Sequence, residues 1–228
     1  MHLIDMPSLA YAKDSASYLE WVEDRLCAKG TPDYQKLDRM AKETEELFAG
    51  EKRLTGEPYH AHCFSVPIIG VEYARVSDPD VVAALTGHDN PEFVEEQMEK
   101  GVYHPRFNLW RAESGLIEER FSYKTERLIR ASTAPRVNSS RSSAESHQIV
   151  YRRMHELAND LEYFQVRLSD RTHNLRTLTP LMGADKLHAK LDESTQRYIP
   201  YANHHGILVH ELNNGVAYGW SLIQPALI

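Results

Sequence analysis

VRLSDRTHNLRTL, residues 166–178, decides how the rest of the chain is read. Leu168, Leu175 and Leu178 recur at helical spacing, so the segment is predicted to be a helix with one apolar face. Asp170, Asn174 and Thr177 stand four and seven positions apart and share a face of their own. A carboxylate on a largely buried helix is unfavourable by several kcal/mol unless a positive charge meets it. Two sources of that charge are open. One is an arginine, with Arg167, Arg171 and Arg176 all close by; the other is a metal ion.

Outward from this helix, alternating β-branched runs are nearly absent and most segments have a period of 3.6, which makes the chain all-α. SASYLEWVEDRLCAKG predicts a first helix ending at Gly30, with Pro32 following the stop, and PDYQKLDRMAKETEELFAG a second closed by Gly50. A third starts in GEPYHAHCFSVPIIGVEYARV, with Pro58 suited to its first turn and Pro67 expected to kink or break it. DPDVVAALTGHD is a short fourth helix. NPEFVEEQMEK is a fifth, with Asn90 as cap and Pro91 in first position. GVYHPRFNLWRAESG is irregular by pattern, and the Ser-rich STAPRVNSSRSSAES (132–146) reads as a mobile loop. One long helix follows, striped by Ile149, Leu157, Leu161, Phe164 and Leu168. Another lies in ADKLHAKLDESTQRYIPYANHH, and the remaining tail is apolar enough to pack.

With 228 residues the chain can bury a sizeable core, and 42% hydrophobic against 26% charged residues is the balance of a soluble globular protein. A net charge of −7 argues against nucleic acid or an acidic membrane as a general partner, because both require a basic field. A small nucleotide is still admitted, since it needs only a local basic pocket. Two cysteines, Cys27 and Cys63, are too few for a disulfide framework or a zinc ribbon. No apolar run approaches membrane-spanning length, and MHLIDMPSLAYAKDS lacks the features of a signal peptide. A cytoplasmic location is the expectation.

Three places set a potential metal ligand on an inward helix face. His62 lies in a row with Tyr59, Val66 and Ile69; His88 follows Val81 and Leu85 and adjoins Asp89; Asp170 is the third. Two imidazoles and two carboxylates suit Mn²⁺, Fe²⁺ or Zn²⁺ better than Ca²⁺ or Mg²⁺. His88 and Asp89 can turn toward one ion only if their helix stops there, as Asn90-Pro91 requires. A core histidine or an ion-paired aspartate explains each residue taken singly. His204, His205 and His210 do not share one face, so packing or surface roles are expected for them.

TGEPYHAH, ALTGHDNPE and VRLSDRTHNLRTL, in this order, resemble the HD-domain hydrolase region of the RelA/SpoT family of alarmone enzymes, and AESHQIVYRRMHELANDLEYFQ resembles the helix that leads into the last motif. The likeness runs from about Arg53 to about Leu212 and leaves no room for a synthetase or regulatory domain, so a small stand-alone alarmone hydrolase is the nearest type. It implies an HD-domain helical bundle with a metal site in its core. Residues 51–212 would form the hydrolase-like domain, 1–50 N-terminal helices packed on it, and 213–228 a tail on the same domain. The resemblance further implies Mn²⁺ held by His62, His88, Asp89 and Asp170, with Asp89 and Glu92 as catalytic carboxylates. Asn174 and Thr177 would contact the nucleoside, and Arg53 would pack on the guanine base. The implied reaction removes pyrophosphate from the 3′ position of a guanosine tetra- or pentaphosphate.

Four departures from the family pattern bear on that expectation. Glu92-Phe93 replaces a Glu-Asp pair, Leu54 replaces a basic residue, Gly87 stands where leucine is usual and is expected to loosen its helix end, and the Asp89–Asp170 interval is long. Glu92, in the first turn of its helix, is expected to be favoured in its charged form by the dipole. Lys52, Arg141, Arg152 and Arg153 are the candidate phosphate contacts, Arg153 foremost. An adenine alarmone, another 3′-phosphorylated nucleotide, or a metal- and nucleotide-binding protein that has lost turnover through Phe93 are the alternatives.

Overall fold

A computed structural model of the chain describes residues 12–111, 115–134 and 143–223. Among these residues there is no strand, only an isolated antiparallel bridge from Lys52 to Pro58, and thirteen α-helices carry the fold. The all-α expectation is borne out. In order they are α1 (Ser15–Arg25), α2 (Pro32–Leu47), α3 (Tyr59–Ala74), α4 (Pro79–Gly87), α5 (Asn90–Glu99), α6 (Phe107–Trp110), α7 (Leu116–Arg120), α8 (Tyr123–Ser132), α9 (Ser143–Glu156), α10 (Leu161–Arg176), α11 (Ala184–Glu193), α12 (Ile199–His205) and α13 (Val209–Ile223). A 3₁₀ turn, Pro180–Met182, precedes α11, and a π turn, Ser194–Tyr198, joins α11 to α12.

The quoted motif lies on α10, which is the hub of the bundle: α3, α4, α8, α12 and α13 all pack against it. Phe164, Leu168 and Leu175 are buried on it beside Ser169, Thr172 and His173. The adjoining α3 is buried continuously from His62 to Gly70, with Cys63, Phe64, Val66 and Ile69 in the core. That burial explains why α3 is not broken at Pro67. The ring removes one backbone hydrogen bond, but the apolar surface on both sides of it holds the helix in place.

Several boundaries differ from the sequence reading. The first helix ends at Arg25, and Gly30, at φ 88°, sits in the turn before Thr31 caps α2. α2 ends at Leu47 rather than at Gly50, and Pro58 stands one residue before α3. The cap of α5 is Asp89, not Asn90; the Asn90 amide instead donates to Thr44 Oγ1 at 3.0 Å inside the core. The single long helix expected around residues 146–176 is two, because Asp160 accepts from Tyr163 N–H at 3.0 Å and so caps a new helix. The stretch expected to be irregular contains α6, which buries Phe107, Leu109 and Trp110. Residues 135–142 of the Ser-rich segment, Arg141 among them, lie outside the described residues, as do 1–11, 112–114 and 224–228.

Gly87, expected to loosen the end of α4, instead permits close packing. A Cβ there would stand 2.7 Å from Sδ of the buried Met40 on α2 and 3.3 Å from Ile129 Cδ1 on α8. Replacing Gly87 by leucine is expected to destabilise the fold by roughly 1–3 kcal/mol through overpacking. Thermal unfolding would show this as a lowered Tm; an unchanged or raised Tm would contradict the packing.

Candidate metal centre

Three chain segments converge beside the middle of α10. α3 carries His62, the α4–α5 junction carries His88 and Asp89, and α10 carries Asp170. His62 Nε2 lies 3.3 Å from Asp89 Oδ2 and 3.4 Å from Asp170 Oδ1, while His88 Nε2 lies 3.3 Å from Asp89 Oδ1 and 3.5 Å from Asp170 Oδ1. Both imidazoles are buried, at 2% and 4% exposure. Ligand atoms of His62, His88 and Asp89 all fall within 4.8 Å of one another, a group that could hold a metal ion. Asp89 can face the centre because its side chain makes no hydrogen bond to cap α5.

Each ring is oriented from behind. His88 Nδ1 lies 2.8 Å from the Leu85 carbonyl, which can only accept, so in the neutral ring the proton is on Nδ1 and the Nε2 lone pair points toward the carboxylates. That Nε2 is buried without a hydrogen-bond partner, the state expected of a nitrogen kept for a cation. His62 Nδ1 meets His173 Nδ1 at 2.8 Å. Tyr59 O–H donates to Asp89 Oδ2 at 2.9 Å and the Asn174 amide to Asp170 Oδ1 at 2.6 Å, so each carboxylate has a neutral donor besides the imidazoles.

Electrostatics follow the same arrangement. Burial by itself would push the Asp89 and Asp170 carboxyls up; the imidazoles of His88 and His62 outweigh it and hold both below the usual carboxylate range. Burial would lower His88, but the two carboxylates raise it to about 9. The pocket thus demands positive charge at its middle. None of the nearby arginines supplies it: Arg171 pairs with Glu193 at 2.8 Å and stacks on Tyr198, Arg167 donates to Tyr198 Oη at 2.7 Å, and Arg176 lies over Tyr73. The donor set fits a divalent transition metal better than it fits an ion pair.

Around this centre opens a cleft of about 560 Å³, lined by His88, by the acidic Asp89, Glu92, Asp170 and Glu193, and by the basic Lys52, Arg53, Arg167, Arg171 and Lys190. Arg53 is set by the turn before α3, where its N–H donates to Glu57 O at 2.9 Å. Its guanidinium donates to Asn174 Oδ1 at 2.9 Å and Thr177 Oγ1 at 3.1 Å, and lies over the Tyr59 ring. Glu92 accepts from Ala134 N–H at 2.5 Å. Burial first, and then the charge of Asp89, raise its carboxyl to about 7, the opposite of the dipole expectation.

Two sequence candidates, Arg152 and Arg153, lie outside the cleft. The Arg153 guanidinium donates to the carbonyls of Arg130 (3.2 Å), Ala131 (2.7 Å) and Thr133 (2.7 Å), so it closes the C-terminal end of α8. Phe93 turns into the core against Phe48, with ring centroids 4.6 Å apart. Conversely, His173, Arg171 and Lys190 were missed. His173 stands three residues after Asp170 in the quoted motif, which is helical spacing toward the same side, whereas nothing local marks Lys190.

Residues 40–208 match the family described as HD domain. The chain belongs to the HD-domain family. Over 163 residues this HD protein is 29% identical to a probable guanosine-3′,5′-bis(diphosphate) 3′-pyrophosphohydrolase from Synechocystis sp. (strain ATCC 27184 / PCC 6803 / Kazusa), an alignment covering 71% of the chain and 19% of the relative. The HD chain therefore spans about a fifth of that relative. Together these findings bear out the RelA/SpoT-family resemblance read from the motifs. Among the described residues no helix is long and apolar enough to cross a membrane.

Arg153→Ala is expected to lower stability by roughly 1.5–3 kcal/mol, because three carbonyls lose a charged donor. Denaturant unfolding measures it. Wild-type stability combined with weakened nucleotide binding would instead return Arg153 to the cleft.

Proposed function

We propose that the protein is a metal-dependent phosphohydrolase that removes the 3′-pyrophosphate from a guanosine tetra- or pentaphosphate alarmone. The convergence of His62, His88, Asp89 and Asp170 next to a cleft walled by cations carries this reading. Family membership and the name of the Synechocystis relative support it. On this reading those four residues hold the ion, with Mn²⁺ the metal expected from the mixed nitrogen and oxygen set. A divalent ion there supplies Lewis acidity, activating water and polarising a phosphoryl oxygen.

The chain's own groups do the rest. Arg53, held by Asn174 and Thr177, offers a planar cation against which a purine base can stack. Lys52, Arg171 and Lys190 face the cleft and meet the phosphate charges. Lys190 is held below the usual lysine range, mainly by burial and then by the adjacent Arg171, a strain that an incoming anion relieves. Glu92, near 7, can take a proton from the attacking water and return it to the leaving oxygen at neutral pH. Phe93 leaves this task to Glu92 alone.

Incubation with Mn²⁺ and guanosine or adenosine 3′-pyrophosphorylated nucleotides is expected to release pyrophosphate, preferentially from the guanosine substrates. Release from the adenosine compounds alone would change the base assignment, and metal binding without any release would favour a nucleotide-binding protein. Asp170→Ala is expected to abolish both Mn²⁺ binding and turnover. Glu92→Gln should keep the metal while turnover falls by roughly 10²–10⁴-fold. Wild-type rates in Glu92→Gln would remove it from the mechanism. Saturating Mn²⁺ at about 100 times its Kd should stabilise the metal-free protein by roughly 2.7 kcal/mol. That corresponds to a Tm rise on the order of 5–10 °C for a chain of this size. Asp170→Ala should show no such rise.

A further inference from the structure

A neutral imidazole ligates through the nitrogen that carries no proton, so a ligating histidine needs its proton fixed on the other nitrogen. For His88 the Leu85 carbonyl settles the matter. His62 has no carbonyl behind it: its Nδ1 faces His173 Nδ1 at 2.8 Å, and one proton lies between these two nitrogens. His173 is 1% exposed and its ring centroid is 4.7 Å from that of His62, which leaves no place for water between them.

We infer that His173 is a positioning residue that selects the tautomer in which His62 Nε2 is open to a cation. The inference rests on the metal reading above. When His173 Nδ1 accepts from His62 Nδ1–H, the His62 Nε2 lone pair points at the space between Asp89 and Asp170. When His173 Nδ1–H donates instead, His62 Nε2 carries a proton directed at Asp89 Oδ2 (3.3 Å) and Asp170 Oδ1 (3.4 Å), which satisfies the carboxylates without a cation. Passing from the second arrangement to the first moves one proton across the Nδ1–Nδ1 contact, releases one from His62 Nε2 and takes one up at His173 Nε2. The charge of the pair is conserved. His62 is thus the switchable ligand of the site, and His88 the fixed one.

The test is Mn²⁺ affinity of the full chain, measured by calorimetry beside unfolding of the metal-free form, for wild type, His173→Phe, His173→Asn and Asp170→Ala. His173→Phe removes the acceptor and is expected to weaken Mn²⁺ binding by roughly 10–100-fold. His173→Asn puts a carbonyl oxygen where Nδ1 stood and should retain near-wild-type affinity. Wild-type affinity in His173→Phe, or equal weakening in both variants, overturns the inference. Independently of any variant, ¹⁵N spectra of the wild-type chain with Zn²⁺ should show His62 protonated at Nδ1 and His173 at Nε2; the reverse also overturns it. Loss of metal in Asp170→Ala beside unchanged His173→Phe would sink the role of His173 alone, whereas metal retained in Asp170→Ala would sink the metal reading itself.

Discussion

Two carboxylates at the edge of a cleft and two buried imidazoles, brought together, form the constraint on which the rest of the structure depends. Asp89 and Asp170 repel one another, and each lies within about 3.5 Å of a ring nitrogen on both His62 and His88. Such a group is stable only with positive charge at its middle, as a protonated imidazole or a bound cation. Local features of three helices serve this meeting. α4 stops at Gly87, letting His88 and Asp89 turn inward; Asp89 leaves α5 without a side-chain cap; and α3 stays helical through Pro67, which keeps His62 in register.

The cleft around the centre gathers charges of both signs. A chain with a net charge of −7 places Lys52, Arg53, Arg167, Arg171 and Lys190 around one opening. Arg171 is braced by Glu193, which also accepts from Tyr151 O–H at 2.9 Å, so this part of the wall is fixed before any ligand enters. Glu92 lines the same cleft, and its raised pKa records the balance: burial and Asp89 push it up more than the Ala134 N–H and Arg167 pull it down.

The segment around α6 and α7, between the second and third motifs, is structural at its root. Trp110 is buried, and the Arg130 guanidinium donates to the carbonyls of Trp110 (3.0 Å) and Arg111 (2.6 Å), tying α6 to α8. Arg106 and Arg120 pair with glutamates on α2. Phe93 belongs to the same logic, since its ring joins Phe48 in a cluster that also holds Tyr59, the donor to Asp89.

By itself the sequence determined the helical class and the inward face bearing Asp170, and it marked four candidate ligands that only the resemblance to the RelA/SpoT family joined into one set. Helical periodicity and short-range spacing are local properties, and a histidine or carboxylate on an apolar stripe is visible without knowing its neighbours. Tertiary structure decided the rest. Arg153 and Lys190 are both basic residues on amphipathic helices, and only the packing of α9 on α8 turns the first toward carbonyl groups while α11 turns the second into the cleft. The ionisation of Glu92 reversed the local dipole argument because burial and a neighbour's charge act through space. The pairing of His62 with His173 joins residues 111 positions apart. Side-chain partners at that separation are set by how helices pack, and no local pattern encodes them.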